Sequence, residues 1–408
     1  MSPKRRWVLA TSVVSVVGVA LSGCGGGEER SSSAGQQGDY VIGIDDVLSG
    51  PLAGYGQSFL TSARAAVEYV NDNGGVNGRN VRLETADSAA AGQNASAAAQ
   101  QLINAKGAMA ILGFTLSDDC AAVSAVAESR KVPIVCTSTP AAQLAPVKDY
   151  VFASNDVEVQ EIPGMVAFAQ ETLGFGPGTR FAIVDTSPTG VQLWAEGLTK
   201  ALEKEGFELT THQTIPVTAV NGSTQISEVV SSNPDIIFAE PVASQYQPLV
   251  QALRAAGNDA PIVAAHNGAN YGGLSTIKDA GLYNATATEF VVDAAPEGEG
   301  AKMYADAMAA IGEGSPAQMN GVIGAPGFLA TYGVIKALEN CADECTGEKL
   351  ASAMEKVSIP MPGLVSGNYG WTAELHQPYH EYFFYHWDDA AQQPVIAQSG
   401  VPYDNLSQ

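Results

Sequence analysis

Positive charge is scarce in this chain. Lys and Arg total 20 against 43 Asp and Glu, a formal net charge of −23. A surface of that sign repels phosphate backbones and anionic headgroups, so nucleic acid is excluded as a partner, and so is docking through a polybasic patch. Long apolar runs are missing as well. Residues 8–21, the best candidate, are 14 long, too short to cross roughly 30 Å of hydrocarbon as a stable helix. The signatures of nucleotide binding and hydrolysis are also lacking. There is no G-x4-G-K-[ST], no G-x-G-x-x-G, no G-x-S-x-G and no H-E-x-x-H. An enzyme is therefore not expected, and neither a cofactor nor a metal is implied.

What is present begins with a leader. MSPKRRW followed by VLATSVVSVVGVAL pairs a basic start with a short apolar run, as signal peptides do. It ends in Leu21-Ser22-Gly23-Cys24, which resembles a bacterial lipobox. The resemblance implies cleavage after residue 23, a diacylglycerol thioether on Cys24 and anchorage on the extracytoplasmic face of the cell membrane. Residues 24–38 are rich in Gly, Ser and Gln and read as a tether reaching roughly 20 Å root-mean-square. Beyond Cys24 the cysteines are Cys120, Cys136, Cys341 and Cys345. An even number in an exported chain suggests two disulfides, with three possible connectivities. The local choice pairs Cys120 with Cys136 and Cys341 with Cys345; a zinc site is the competing reading and fails for want of a C-x2-C set.

From residue 39 onward short β-branched runs alternate with helical patterns. YVIGIDDV, VRLETADS, AMAILGF and VPIVCTS read as strands with helices between them, and the pattern restarts at TRFAIVDTS. Helices are expected to stop at Gly or Asn, and strands commonly resume after Pro. Such βα alternation implies α/β architecture, with parallel sheets covered by helices, and two runs imply two similar lobes. The last third breaks the alternation with helices near GEGAKMYADAMAAIG and GAPGFLATYGVIKALENC and a hairpin-like YHEYFFYHWDDAAQQPVIAQSG.

SGPLAGYG, residues 49–56, looks at first like a phosphate cradle. It has no lysine, and Pro51 removes a backbone donor that a cradle would use. It reads instead as a strand-to-helix turn at the carboxyl edge of a parallel sheet, the edge at which open α/β sheets bind ligands.

LSGPLAGYG, then AAVEYVNDNGGVNGRNVRLETAD, then LGFTLSDDCAAVSAVAESRKVPIVCTSTP together resemble the branched-chain amino-acid-binding protein family, the type I periplasmic binding proteins of ABC importers. The resemblance implies two Rossmann-like lobes joined by three crossovers, near residues 152–155, 289–293 and 382–384. Lobe one would comprise 39–153 plus 294–381, and lobe two 154–293 plus 382–408. It implies that Tyr55 is an aromatic wall of the pocket. Ser117 falls where a hydroxyl and N–H bind a ligand carboxylate at a helix N-terminus; it is equally read as a plain N-cap. Ser138 and Thr139 match the second contact with carboxylate and ammonium.

The second half departs from the family. Thr189 stands where a tyrosine before glycine is expected, and His266-Asn267 where an acid pairs with the ligand ammonium. Histidine supplies no full negative charge there. Glu240 is a candidate replacement, its side chain aimed either inward or at solvent. Tyr271 is the expected second-lobe wall, with Tyr246 and Trp371 as further candidates, while Trp194 sits at core spacing. His376, His380 and His386 lie close in sequence, but Pro378 breaks any common helical face. The expectation is a monomeric, lipid-anchored, solute-binding protein that delivers an amino acid, carboxylate or amide to ABC permease subunits. A sensor module of the same fold is the alternative, and an exported enzyme a weaker one.

Overall fold

The computed structural model describes residues 38–402 apart from positions 90, 220, 267, 269, 293, 294, 322, 342, 343 and 380. The leader, Cys24 and all but the last residue of the tether, together with Asn267 and His380, lie outside the described residues.

The first sheet is built from β1 (Tyr40–Asp46), β2 (Val81–Asp87), β3 (Ala110–Gly113), β4 (Ile134–Cys136) and β5 (Val151–Ala153). All its pairings are parallel, in the order β2-β1-β3-β4-β5. Its strands are joined through α1 (Ala53–Asp72), α2 (Gly92–Lys106), α3 (Ser117–Arg130) and the short α4 (Ala141–Leu144). β1, β3 and β4 are buried along their whole length, as expected when helices cover both faces. α1 begins at Ala53 because Gly56 lets the helix start against the end of β1. A Cβ on Gly56 would lie 2.3 Å from the Val47 carbonyl oxygen. α3 ends not on Gly or Asn but on Lys131 in the left-handed region, φ 55°, so the terminator expectation fails there.

After β5 the chain crosses to the second half. A 3-10 turn (Glu158–Glu161) leads into α5 (Ile162–Ala167), and then come β6 (Arg180–Thr186), α6 (Thr189–Lys204), β7 (Glu208–Ile215), α7 (Ser223–Ser232), β8 (Ile236–Ala239), α8 (Tyr246–Ala255), β9 (Ile262–Ala264), α9 (Asn270–Ile277) and β10 (Leu282–Thr286). The chain then returns to supply α10 (Glu299–Ala310), α11 (Pro316–Met319), α12 (Gly324–Asn340), α13 (Gly347–Met354) and the two-stranded β11 (Ser358–Pro360) and β12 (Asn368–Gly370). α12 is buried on nearly every face and packs beside α1, its side chains joining the core of the first sheet. The antiparallel pair β13 (Glu381–Asp388) and β14 (Gln393–Pro402) closes the second sheet, in the order β14-β13-β10-β9-β8-β6-β7. The hairpin in the sequence is therefore real, and it extends a parallel sheet at its edge.

Cys120 is bonded to Cys136 and Cys341 to Cys345. The first disulfide ties the start of α3 to the end of β4, both fully buried. Among the described residues no helix is long and apolar enough to cross a membrane.

Candidate functional site

In each sheet the order of strands reverses once, between β1 and β3 in the first and between β6 and β8 in the second. Loops leaving neighbouring strands in opposite directions open a crevice at such a point. The two crevices face each other. One cavity, about 460 Å³ of empty space, is lined by Leu52 and Tyr55 after β1, Thr115–Ser117 after β3, Ser138 after β4, Thr186 and Pro188 after β6, and Glu240–Val242 after β8. Glu158, Val191 and Val217 complete the wall.

Buried carboxylates set the loops of the first half. Asp46 Oδ1 accepts the N–H groups of Val47 at 2.8 Å and Thr115 at 3.0 Å, joining the turns after β1 and β3. Phe114 holds φ at 61° with its ring fully buried, a backbone state that a bulky residue rarely adopts. It directs the chain from β3 toward Ser117.

Two hydrogen bonds cross the cavity. Tyr55 Oη accepts the N–H of Ala243 at 2.9 Å, and Ser117 Oγ accepts the N–H of Gly190 at 3.1 Å. The halves are thus closed on one another. Burial, offset in part by the Ala243 N–H and reinforced by Glu240, pushes the Tyr55 phenol up to about 12. Ser117 is not an N-cap: Leu116 takes that position, and the serine is the first helical residue, its hydroxyl turned across the cleft.

Several expected site residues lie elsewhere. Thr139 is buried, but its hydroxyl donates to the Cys136 carbonyl at 3.2 Å, and of this pair only Ser138 lines the cavity. Thr189 is exposed on the first turn of α6. Tyr271 packs edge-on against Phe290, ring centroids 5.7 Å apart, and does not line the cavity. Tyr246 is fully buried, donating to the Ala239 carbonyl at 2.9 Å. Trp194 lies in the core of the second sheet; Trp371 lies in that of the first, its indole N–H donating to Ala153 at 2.8 Å. His376 stacks on Phe152 and His386 on Tyr283, in different halves, so no histidine cluster forms between these two. Ser275-Thr276-Ile277-Lys278 matches the S-x-x-K pattern, but neither Ser275 nor Lys278 lines the cavity, and the Lys278 ammonium lies 5.0 Å from the Trp387 ring centroid.

The largest correction concerns His266. It does not line this cavity but a second, polar one with Asn155, Asn284, Thr286, Thr288 and Asn320. Its Nδ1 is hydrogen-bonded to Glu161 and lies 3.3 Å from Asp156 Oδ2, and all three side chains are at most 1% exposed. Burial by itself would lower the imidazole, but Asp156 and Glu161 outweigh it and hold the group well above its usual range. Glu161 is in turn raised, by burial first and then by Asp156. One ligand atom from each of these residues falls within 4.8 Å of the others, the spacing a metal ion would need. Because Nδ1 is already paired with Glu161, the arrangement reads as an ionic brace. The Glu161 carbonyl also accepts from Tyr382 at 2.9 Å, which ties the 3-10 turn to β13.

Two acids from other loops line the cavity in which His266 has no part. Glu240 is 2% exposed and faces the cavity rather than solvent, and Glu158, 1% exposed, joins it. Glu158 is held above the usual carboxylate range by burial, with Asp156 adding to the effect and His266 opposing it. The sequence reading missed Glu158 and Glu161. Their signal was DVEVQE, acids alternating with apolar residues directly after a strand.

The sequence matches the periplasmic binding protein family over residues 40–392. The chain belongs to that family. Among curated relatives, an amino acid binding protein of Pseudomonas aeruginosa is 30% identical over 30% of this chain and 29% of its own length. The Leu/Ile/Val-binding protein of Escherichia coli is 24% identical over 54% of this chain and 59% of its own. The alignments thus span less than two thirds of the length of each of these relatives. A branched-chain amino acid ABC transporter structure from Thermus thermophilus with bound valine superposes with a TM-score of 0.79 at 15% identity, covering 91% of this chain and 98% of that one. At that identity the likeness carries the fold: a type I periplasmic binding protein with two parallel-sheet lobes.

Proposed function

We propose that this periplasmic binding protein is the solute receptor of an ABC importer and closes its two lobes around a small molecule. The observation that carries the reading is the meeting of two topological switch points on one cavity bridged by Tyr55–Ala243 and Ser117–Gly190. Closure around a cleft sequesters the ligand, while the crossover segments absorb the backbone change. Lobe one is assigned to 39–153 plus 294–381 and lobe two to 154–293 plus 382–408. Tyr55, Ser117, Ser138, Glu158 and Glu240 are the assigned ligand contacts. The role is binding and delivery, not catalysis.

One relative is a Leu/Ile/Val-binding protein, another an amino acid binding protein, and one similar structure holds valine, which supports a ligand of amino-acid size. A thermal-shift panel of leucine, aromatic acids, short amides, alkylamines and urea tests the reading. A ligand that binds only the folded state stabilises it by RT ln(1 + [L]/Kd), about 2.7 kcal/mol at a hundredfold excess over Kd. A panel without any stabilising compound would count against it.

The leader and Cys24 carry the rest of the proposal: a lipid-anchored protein held on the extracytoplasmic face beside its permease. Cys24→Ala is expected to abolish incorporation of labelled fatty acid in cells. Continued labelling would remove the anchor from the account.

A further inference from the structure

We infer that the interlobe cavity selects a small organic cation, an amine with an apolar flank, and that Glu158 stands where the anionic group of a ligand would otherwise sit. The inference rests on the solute-binding reading above and narrows it to a class of ligand. The N-termini of α3 and α6 converge at this cavity, their first turns joined by the Gly190–Ser117 hydrogen bond. Unpaired N–H groups and aligned peptide dipoles make such a place attractive to a carboxylate. The chain supplies one itself. Glu158 Oε2 lies 3.3 Å from where a Cβ on Gly190 would be, and Ser117 Oγ lies 3.2 Å from the same point. Asp118 and Asp119 further compensate the first turn of α3.

Glu240 is the second carboxylate on the wall, and none of the described lining residues is Lys, Arg or His. Glu158 is 1% exposed, and its Oε1 has no hydrogen-bond partner. A buried carboxylate oxygen without a donor is costly, and a ligand N–H on a positive centre is the group that relieves the cost. A ligand carboxylate would meet two acids at close range, a built-in rejection of anions. The rest of the wall is largely aliphatic, with Leu52, Leu116, Val191, Val217 and Val242 offering a surface for a short alkyl chain. The acid excess of the whole chain raises the local concentration of cations in the same sense.

Four compounds sharing one isobutyl end separate the possibilities: isoamylamine, 4-methylvalerate, 4-methylvaleramide and leucine. Isothermal titration of the full chain is expected to show isoamylamine binding at least about tenfold more tightly than the carboxylate or the amide, a margin typical of one satisfied charge contact. Tighter binding of leucine than of isoamylamine would overturn the inference, because it would mean that the ligand carboxylate is recognised. Preference for 4-methylvalerate or 4-methylvaleramide would overturn it as well. Glu158→Gln and Glu240→Gln, each checked for a cooperative melt, are expected to weaken amine binding about tenfold. Unchanged affinity in both folded variants would overturn it, and the wild-type series decides the matter without them. Carboxylate binding with silence from the amine overturns the ligand class alone. Silence from every compound here and in the broader panel overturns the binding reading too.

Discussion

The N–H of Gly190 donates to Ser117 Oγ at 3.1 Å across the cleft, and a Cβ on that glycine would lie 3.2 Å from both Cβ and Oγ of the serine. Closure depends on a residue without a side chain at this point of contact. Gly190→Ala is therefore expected to shift the population toward open lobes while leaving each lobe folded. Overpacking of this kind costs roughly 1–3 kcal/mol, which here falls on the closed state. Small-angle scattering should show a larger radius of gyration for the variant, with the melting temperature little changed. An unchanged radius would mean that the contact does not govern closure.

Asp45 gives a pH dependence with a definite sign. Both of its carboxylate oxygens are buried, and burial, then Asp119 and Asp46, raise its pKa from 3.8 to about 8 against the opposing effect of a backbone hydrogen bond from Ala99. The neighbouring Asp119 is raised to about 6, chiefly by burial. The folded state therefore holds protons that the unfolded chain has released. Stability is greatest below about pH 4 for these groups and declines as the pH rises toward about 8, above which their contribution is lost. Asp45→Asn should raise the melting temperature at pH 8 and flatten its fall between pH 5 and 8. A variant less stable than the parent at pH 8 would contradict this.

His266 is paired with Asp156 and Glu161 and does not line the cavity between the switch points. His266→Ala strands Glu161 and Asp156 in the interior, and breaking one side of a buried ion pair costs about 3–5 kcal/mol. The expected result is a large drop in the chemical-denaturation midpoint, partly recovered in His266→Ala/Glu161→Gln. Coupling between the two substitutions, measured by a double-mutant cycle, distinguishes the brace from a simple packing loss.

The two disulfides are unequal in position. Cys120–Cys136 spans 16 residues and pins the segments bearing Ser117 and Ser138, whereas Cys341–Cys345 spans 4 at the end of α12. Loop entropy alone favours the first by only about 3 against about 2 kcal/mol. Burial and its place beside the cavity add to the difference. The double Cys120→Ala/Cys136→Ala variant should lose more thermal stability than Cys341→Ala/Cys345→Ala, and it alone should weaken ligand binding.

The fold was legible because βα alternation repeats and the strands of both sheets are written in β-branched residues such as those of FAIVDT and PDIIFAE. Tyr55, Ser117 and Ser138 were expected at the pocket from the family resemblance, and all three line the cavity: Tyr55 in the first turn of α1, Ser117 at the start of α3 and Ser138 just after β4. Glu158 and Glu161 were not legible, since a single 3-10 turn between the halves has no periodicity to betray which side faces inward. Thr189 and Tyr271 were misplaced by arguing from position along the chain. Thr189 is the first residue of α6 and points outward, while its neighbour Gly190 makes the contact. His266 follows its strand as expected, but the buried acids of the crossover claim its ring.

The central claim is that the cavity between the two switch points is the solute site. Val217 lines it and is only partly buried, so Val217→Trp fills the space with little cost to either core. The measurement is the melting temperature of the parent and of Val217→Trp, each with and without a panel compound that stabilises the parent. The account predicts a ligand-induced rise in the parent and none in the variant. A rise of equal size in Val217→Trp would contradict it and move the site elsewhere.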